Sequence, residues 1–229
     1  LLVDLIAQDG YPVASRLFFM AFFADRTRAY LRRGGAIDPR QLDAVLRAAR
    51  GRPVLDQLHA DFAGQRVDLS FALSIVRAML GLPEHLQTPR LRGVIEDVRR
   101  VYAVTGAPLE GDVAAVQRAF LGLPPLPPEL GEEVERLVGR FVRHHLEREW
   151  FVGWPSLIDH LFGLWVRVAV LRFLLVSHPG PRAEGLSPDE RRERLGSLAV
   201  TVAYSLTRIL EHDRPLAEHI VAQLVDQGL

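Results

Sequence analysis

Residues 157–176, LIDHLFGLWVRVAVLRFLLV, make up the most hydrophobic run in the chain. Asp159, His160, Arg167 and Arg172 interrupt it, so it falls short of a clean membrane span, which needs roughly 20 predominantly apolar residues. At about 100° per residue, Leu157, Leu161, Leu164, Val168, Leu171 and Leu175 form an unbroken helical stripe. Ile158, Phe162, Trp165, Ala169 and Val176 widen it, and a helix apolar over most of its circumference belongs at the centre of a bundle. The polar exception is a narrow line of His160, Gly163 and Arg167. A buried Arg needs a partner, and the pattern offers Glu149 or Glu211. A structural ion pair is the simpler account of that line.

Outward from this helix, capping signals and 3.6-residue periodicity recur from end to end, while alternating strand patterns are nearly missing. The reading is all-α, with roughly nine to ten helices. LLVDLIAQ opens in helix, and a second helix spans about Pro12 to Arg33 until Gly34-Gly35 stops it. Asp38-Pro39-x-Gln41 joins an N-cap, a first-turn proline and a capping-box partner, starting a helix to about Arg50. Pro53 to Phe62, Leu69 to Leu82, Thr88 to Thr105 and Asp112 to Leu121 follow. The segment 122–128, GLPPLPP, carries four prolines in five positions and breaks any helix. It is a candidate boundary between two helical subdomains, 1–121 and 129–229, which can also form one compact domain. Beyond it come Glu129 to Phe151, Pro155 to Ser177, Ser187 to His212 and Pro215 to Asp226. Ser187-Pro188-Asp189-Glu190 is a full capping box, and HPGPRAEGL (178–186) reads as an ordinary solvated loop.

Composition removes more functions than it suggests. The chain has 229 residues, 28 basic and 28 acidic, so no net charge drives it onto nucleic acid or an anionic membrane. All the basic residues other than His are Arg. There is no Cys, hence no disulfide, thiol nucleophile, iron–sulfur ligand or thiolate zinc site in these residues. There is no Lys, hence no P-loop lysine or Schiff base. The common dinucleotide, hydrolase and zincin motifs are missing. The expectation is a cytoplasmic protein with no membrane or nucleic-acid partner, and a chain that begins inside a helix at Leu1 reads as a piece of a longer one.

RHHLEREW (143–150) concentrates His, Glu and Arg, but adjacent residues of a helix point far apart, so His144 and His145 do not ligate one metal together. The apolar stripe of that helix is Val134, Val138, Phe141, Val142 and Leu146. His145 falls at its centre with Glu149 one turn on, Arg143 and Glu147 lie opposite, and His144 and Arg148 flank it. His145 and Glu149 are placed to hydrogen-bond each other, and a satisfied core histidine is the simpler account. On the last long helix the core stripe is Leu195, Leu198, Val202, Leu206 and Ile209. Thr201, Tyr204, Arg208 and Glu211 lie opposite, with His212 alongside, on a face that is solvent by the usual rule or else lines a groove.

Three stretches, DGYPVASRLFFMAFFADR, RFVRHHLEREWFVGWPSLIDHLFGLWVRVAVLRFLL and AYSLTRILEHD, resemble in order and spacing the helical C-terminal half of the flagellin lysine-N-methylase family and its cysteine-cluster relatives. The residues that match are Arg16-Leu17, Trp150-Phe151, Leu157 to Leu175, and Arg208, Glu211 and His212. The resemblance implies a bacterial protein related to enzymes that methylate flagellin lysines with S-adenosylmethionine. Family members carry an N-terminal cysteine cluster that holds an iron–sulfur centre; this chain departs from them in having no Cys. Its implied partners are a flagellin-like protein substrate or an N-terminal cysteine-cluster domain. No cofactor is expected within these residues, and no metal site.

On this reading the catalytic candidates are His145, Glu149, Glu211 and His212, and the cofactor-binding candidates are His160, Arg167, Tyr204 and Arg208. A carboxylate or neutral hydrogen-bonding group suits the orientation of a lysine amine. The alternative is a non-catalytic helical ligand-binding or dimerisation module, which an all-α composition fits equally well. A metal-dependent helical oxygenase or hydrolase ranks last, since it relies on Glu-x-x-His pairs and the chain has none.

Overall fold

The structure is a computed structural model that describes residues 2–32, 39–63, 73–77, 88–148 and 156–212. The chain is all-α, built of nine to ten helices, with no strand among the described residues. The helices are α1 (Leu2–Ile6), α2 (Val13–Arg32), α3 (Pro39–Arg50), α4 (Arg52–Ala63), α5 (Pro89–Val104), α6 (Val113–Leu121), α7 (Pro128–Arg148), α8 (Leu157–Ser177) and α9 (Pro188–His212). Residues 73–77 are also helical, and Gly180–Arg182 form one 3-10 turn. The expected glycine stop at Gly34-Gly35, the cap residue Asp38, most of the helix at 69–82 and the terminal helix at 215–226 lie outside the described residues.

Helix starts follow from their caps. The Thr88 hydroxyl accepts from the Leu91 N–H at 3.2 Å with Pro89 in the first turn, so α5 begins where its donors would otherwise be unsatisfied. Asp112 accepts from the Ala115 N–H at 2.9 Å and starts α6 in the same way. At Ser187 the capping box closes in both directions: the Glu190 carboxylate accepts from the Ser187 N–H at 2.8 Å, and the Glu190 N–H donates back to the Ser187 hydroxyl at 3.3 Å. The Ser187 N–H, and then the Ser187 hydroxyl donating to the same carboxylate at 2.7 Å, hold the Glu190 carboxyl below its ordinary range. Pro128 opens α7, because a proline that cannot continue a helix is suited to begin one.

The chain clusters into two compact units, Leu1–Val67 with Val138–Trp165, and Asp68–Leu137 with Val166–Leu229. Each is discontinuous in sequence, and the proline-rich segment 122–128 lies within the second. In the first unit, α2 buries Val13, Leu17, Phe19, Met20 and Phe23, and packs against α1, α3 and α4. Phe18 stacks on Phe62 with ring centroids 5.1 Å apart, and Phe62 meets Trp165 edge-on at 6.3 Å. Gly139 of α7 lies against α2, since a Cβ there would sit 3.5 Å from Val13.

In the second unit, Val166, Val168, Val170, Leu171, Phe173, Leu174 and Leu175 of α8 are all buried, as the all-round apolar pattern requires. Phe173 stacks between Tyr102 and Phe120, with centroids 5.7 and 5.6 Å away. Tyr102 is fully buried and its hydroxyl pairs with Ser177 at 2.9 Å. Burial pushes the phenol up to about 12, so it stays neutral. Leu195, Leu198, Val202 and Leu206 form the buried stripe of α9, and Ser205 on that helix pairs with Thr88 at 3.1 Å. Arg172 of α8 forms an ion pair with Glu135 of α7. Phe162, expected to widen the apolar stripe, is 47% exposed.

Removing Phe173 as Phe173→Ala should cost about 3–5 kcal/mol, through lost burial and the cavity between Tyr102 and Phe120. Ser187→Ala should cost only about 1 kcal/mol, as the loss of one cap. Urea unfolding of the two variants in parallel checks the ranking; equal losses would contradict the packing described for α8.

Candidate functional site

In the first unit, α7 and α8 bring two buried imidazoles together. His145 and His160 stack with centroids 5.2 Å apart and planes 13° from parallel, and Phe141 stacks on the other partner, His145, at 6.3 Å. Both are buried, His145 at the centre of the α7 stripe as its spacing demands, with Val138 and Val142 beside it in sequence register. Arg143, His144, Glu147 and Arg148 are exposed and Leu146 is half-buried, so among the described residues of RHHLEREW only His145 is fully inward. Glu149, expected to pair with His145, lies outside the described residues, as do Trp150 and Phe151.

The stack constrains what these histidines can do. A ring nitrogen binds a metal along a lone pair in the ring plane, at about 2.0–2.1 Å. Nearly parallel stacked rings send those lone pairs side by side instead of toward one point. Among the described residues no group of three or more His, Asp or Glu is placed to hold a metal ion. What the arrangement supplies is a buried stack of Phe141, His145 and His160 rings.

A second polar group of the same unit was not picked out from the sequence. Ser15, buried in the first turn of α2, shares a hydrogen bond with His59 Nδ1 of α4 at 2.9 Å. Four residues earlier, the Tyr11 hydroxyl donates to Asp56 Oδ1 at 2.5 Å, and the Tyr11 and His59 rings meet edge-on at 5.6 Å. Burial, then the bond to Asp56, raise the Tyr11 phenol above its ordinary value, so it acts as a donor. Arg16 completes the group: it donates to the carbonyls of Tyr11 at 2.6 Å and Ile6 at 2.9 Å, and to Asp9 at 3.2 Å. It thereby fixes the turn between α1 and α2. The one sequence signal for the pairing is Asp56 and His59 at i, i+3, which puts both on one face of α4. A Ser nucleophile must be reached by its substrate, and Ser15 is 2% exposed, so this group pins α2 to α4.

In the second unit Arg167 is buried on α8. Of its two expected partners, Glu149 lies outside the described residues and so does the side chain of Glu211. Tyr204 and Arg208 are exposed on α9 with Thr201 half-buried, which is the solvent face expected by the usual rule. The side chains of His212 and Ile209 also lie outside the described residues. The segment 178–186 differs from the solvated loop expected of it. Pro181 is buried and His178 and Arg182 are half-buried; His178 Nδ1 accepts from the Gly180 N–H, and Arg182 donates to the Val176 carbonyl, one of those that the end of α8 leaves without a partner.

Of the eight candidates, the structure therefore joins His145 to His160, buries Arg167 and exposes Tyr204 and Arg208, while Glu149 and the side chains of Glu211 and His212 lie outside what it describes. No family model, curated protein or solved structure matches the chain.

The Ser15–His59 bond should appear as an interaction energy of about 0.5–1.5 kcal/mol in a double-mutant cycle of Ser15→Ala and His59→Ala, measured by denaturant unfolding. Strict additivity would show that the two residues do not interact.

Proposed function

We propose that this chain is the helical C-terminal part of a protein resembling flagellin lysine-N-methylase, shaping the cleft in which a lysine side chain is presented for methyl transfer. One observation carries the reading. The buried polar residues among those described are Ser15, His145, His160, Arg167, Ser177 and Ser205. Five of them fall inside the three stretches on which the resemblance rests, and Ser177 lies two residues beyond the second stretch. A buried polar group costs free energy unless it is matched, so each marks a position where packing is closely specified, and their concentration in those stretches supports the resemblance.

Methyl transfer to a lysine needs an uncharged amine held in line with the donor methyl, and groups that orient it are carboxylates or neutral hydrogen-bond acceptors. Glu149 or Glu211 is the candidate for that role. S-adenosylmethionine supplies the methyl group. With no Cys, the chain offers no thiolate for an iron–sulfur centre, and no step is assigned to one here.

The test has two parts. The full-length protein should transfer labelled methyl from S-adenosylmethionine to lysines of a flagellin, read by mass spectrometry, while the 229-residue chain alone should bind S-adenosylmethionine weakly or not at all by calorimetry. Tight binding by this chain alone, or no transfer by the full-length protein, would overturn the reading.

A non-catalytic dimerisation module is the second reading, favoured by Val200 and Tyr204, which are 69% and 63% exposed one turn apart on α9. It requires a stable dimer in solution that Tyr204→Arg dissociates.

A further inference from the structure

We propose that His178 is a proton-operated latch, which when neutral closes the turn after α8 and through Arg182 holds the proline-rich segment at Pro124. The Gly180 backbone N–H can only donate, and it points at His178 Nδ1 from 3.0 Å, so Nδ1 must be an acceptor. The remaining proton then sits on Nε2, which faces Asp97 Oδ2 of α5 at 3.3 Å. Both ring nitrogens are thus committed, and only the neutral imidazole fits both partners. Adding a proton at Nδ1 would set two donors against each other.

The turn is built around that ring. A Cβ on Gly180 would lie 3.0 Å from both Nδ1 and Cε1 of His178, so glycine permits the imidazole to lie flat against the backbone. Directly after it, Arg182 donates to the carbonyl of Val176 at 3.0 Å and to that of Pro124. The first bond closes the exposed end of α8, and the second reaches 58 residues back to the segment that precedes α7. Opening the turn at Gly180 therefore displaces the residue that clasps Pro124.

The charged groups around the ring are accounted for. From α5, Asp97 faces His178 and also pairs with Arg100 at 2.7 Å; its neighbour Glu96 is taken up by Arg99. Tyr102 of α5 is neutral and bonded to Ser177. Arg182 is directed at the two carbonyls, and Arg191 of α9 donates to the carbonyl of Leu186. Asp97 alone favours the imidazolium; burial opposes it more strongly, and His178 is held below the ordinary value of 6.5. A depressed value gives the sign. The latch contributes stability fully above about pH 6.5, and loses it as pH falls through the lower folded-state value.

The experiment is a pH titration of the 15N-labelled chain from 7.5 to 5, following the Gly180 and Leu123 amide resonances and hydrogen exchange. Gly180 and Leu123 should shift together with a single midpoint below 6.5, and Gly180 exchange, corrected for intrinsic rate, should accelerate by roughly tenfold across it. In Asp97→Asn, a conservative change at a half-buried position, the shared midpoint should move lower, because the one anion that favours the charged ring is gone. In His178→Gln the joint titration should disappear. A midpoint at or above 6.5, a Gly180 shift that leaves Leu123 still, or a midpoint that rises in Asp97→Asn would overturn the latch.

Discussion

The structure depends on the need to cover α8 on every side. A helix of 21 residues whose apolar side chains run nearly round its circumference cannot lie on a surface, because each exposed face would leave several large side chains in water. Its buried residues run from His160 to Ser177, the first part within one compact unit and the remainder within the other. Within each unit the aromatic contacts follow from that demand: Phe62 seats Trp165 in the first, and Tyr102 and Phe120 sandwich Phe173 in the second. A membrane would satisfy the same composition, and the helix is long and apolar enough for one. Here the protein itself supplies the cover, with two-thirds of the most apolar window buried.

Element by element, what could be read beforehand was local. Thr88, Asp112 and Ser187 announce helix starts because a cap is a bond between residues three apart, so its partners are visible in one short window. The inward position of His145 was legible for the same reason, as a phase within the stripe of Val134, Val138, Phe141, Val142 and Leu146. Its stacking on His160 was not, since periodicity says which face a residue occupies and nothing about which residue of another helix it meets. The Ser15–His59 and Tyr11–Asp56 bonds span 44 and 45 residues, and no spacing rule links such pairs. The 178–186 segment was misjudged because Pro and Gly signal a turn without saying what the turn is fastened to.

These long-range polar pairs share a logic that bears on function. Each buried hydroxyl or ring nitrogen is worth little when satisfied and costs much when it is not, so a polar group in an apolar helix selects one packing arrangement over its neighbours. Ser205 with Thr88, and Ser177 with Tyr102, fix the register of α9 and α8 against α5 in the second unit. Ser15 with His59 does so for α2 and α4 in the first. A helical bundle held by apolar stripes alone has several near-equivalent registers, and these pairs remove the alternatives.

Residues that specify the fold are separated from residues available for chemistry by what their partners demand of them. Ser15, Ser177 and Ser205 are buried and each is matched with a hydrogen-bonding partner, so their roles end at packing. His178 differs because its two ring nitrogens face partners with opposite requirements, a donor at Gly180 and an acceptor at Asp97. A serine hydroxyl rotates to suit a change in its neighbours, whereas an imidazole pinned at both ends has one protonation state that fits. A group with a single compatible charge state converts a change of pH into a change of structure, and in the second unit the turn after α8 is where such a group meets a long-range tether.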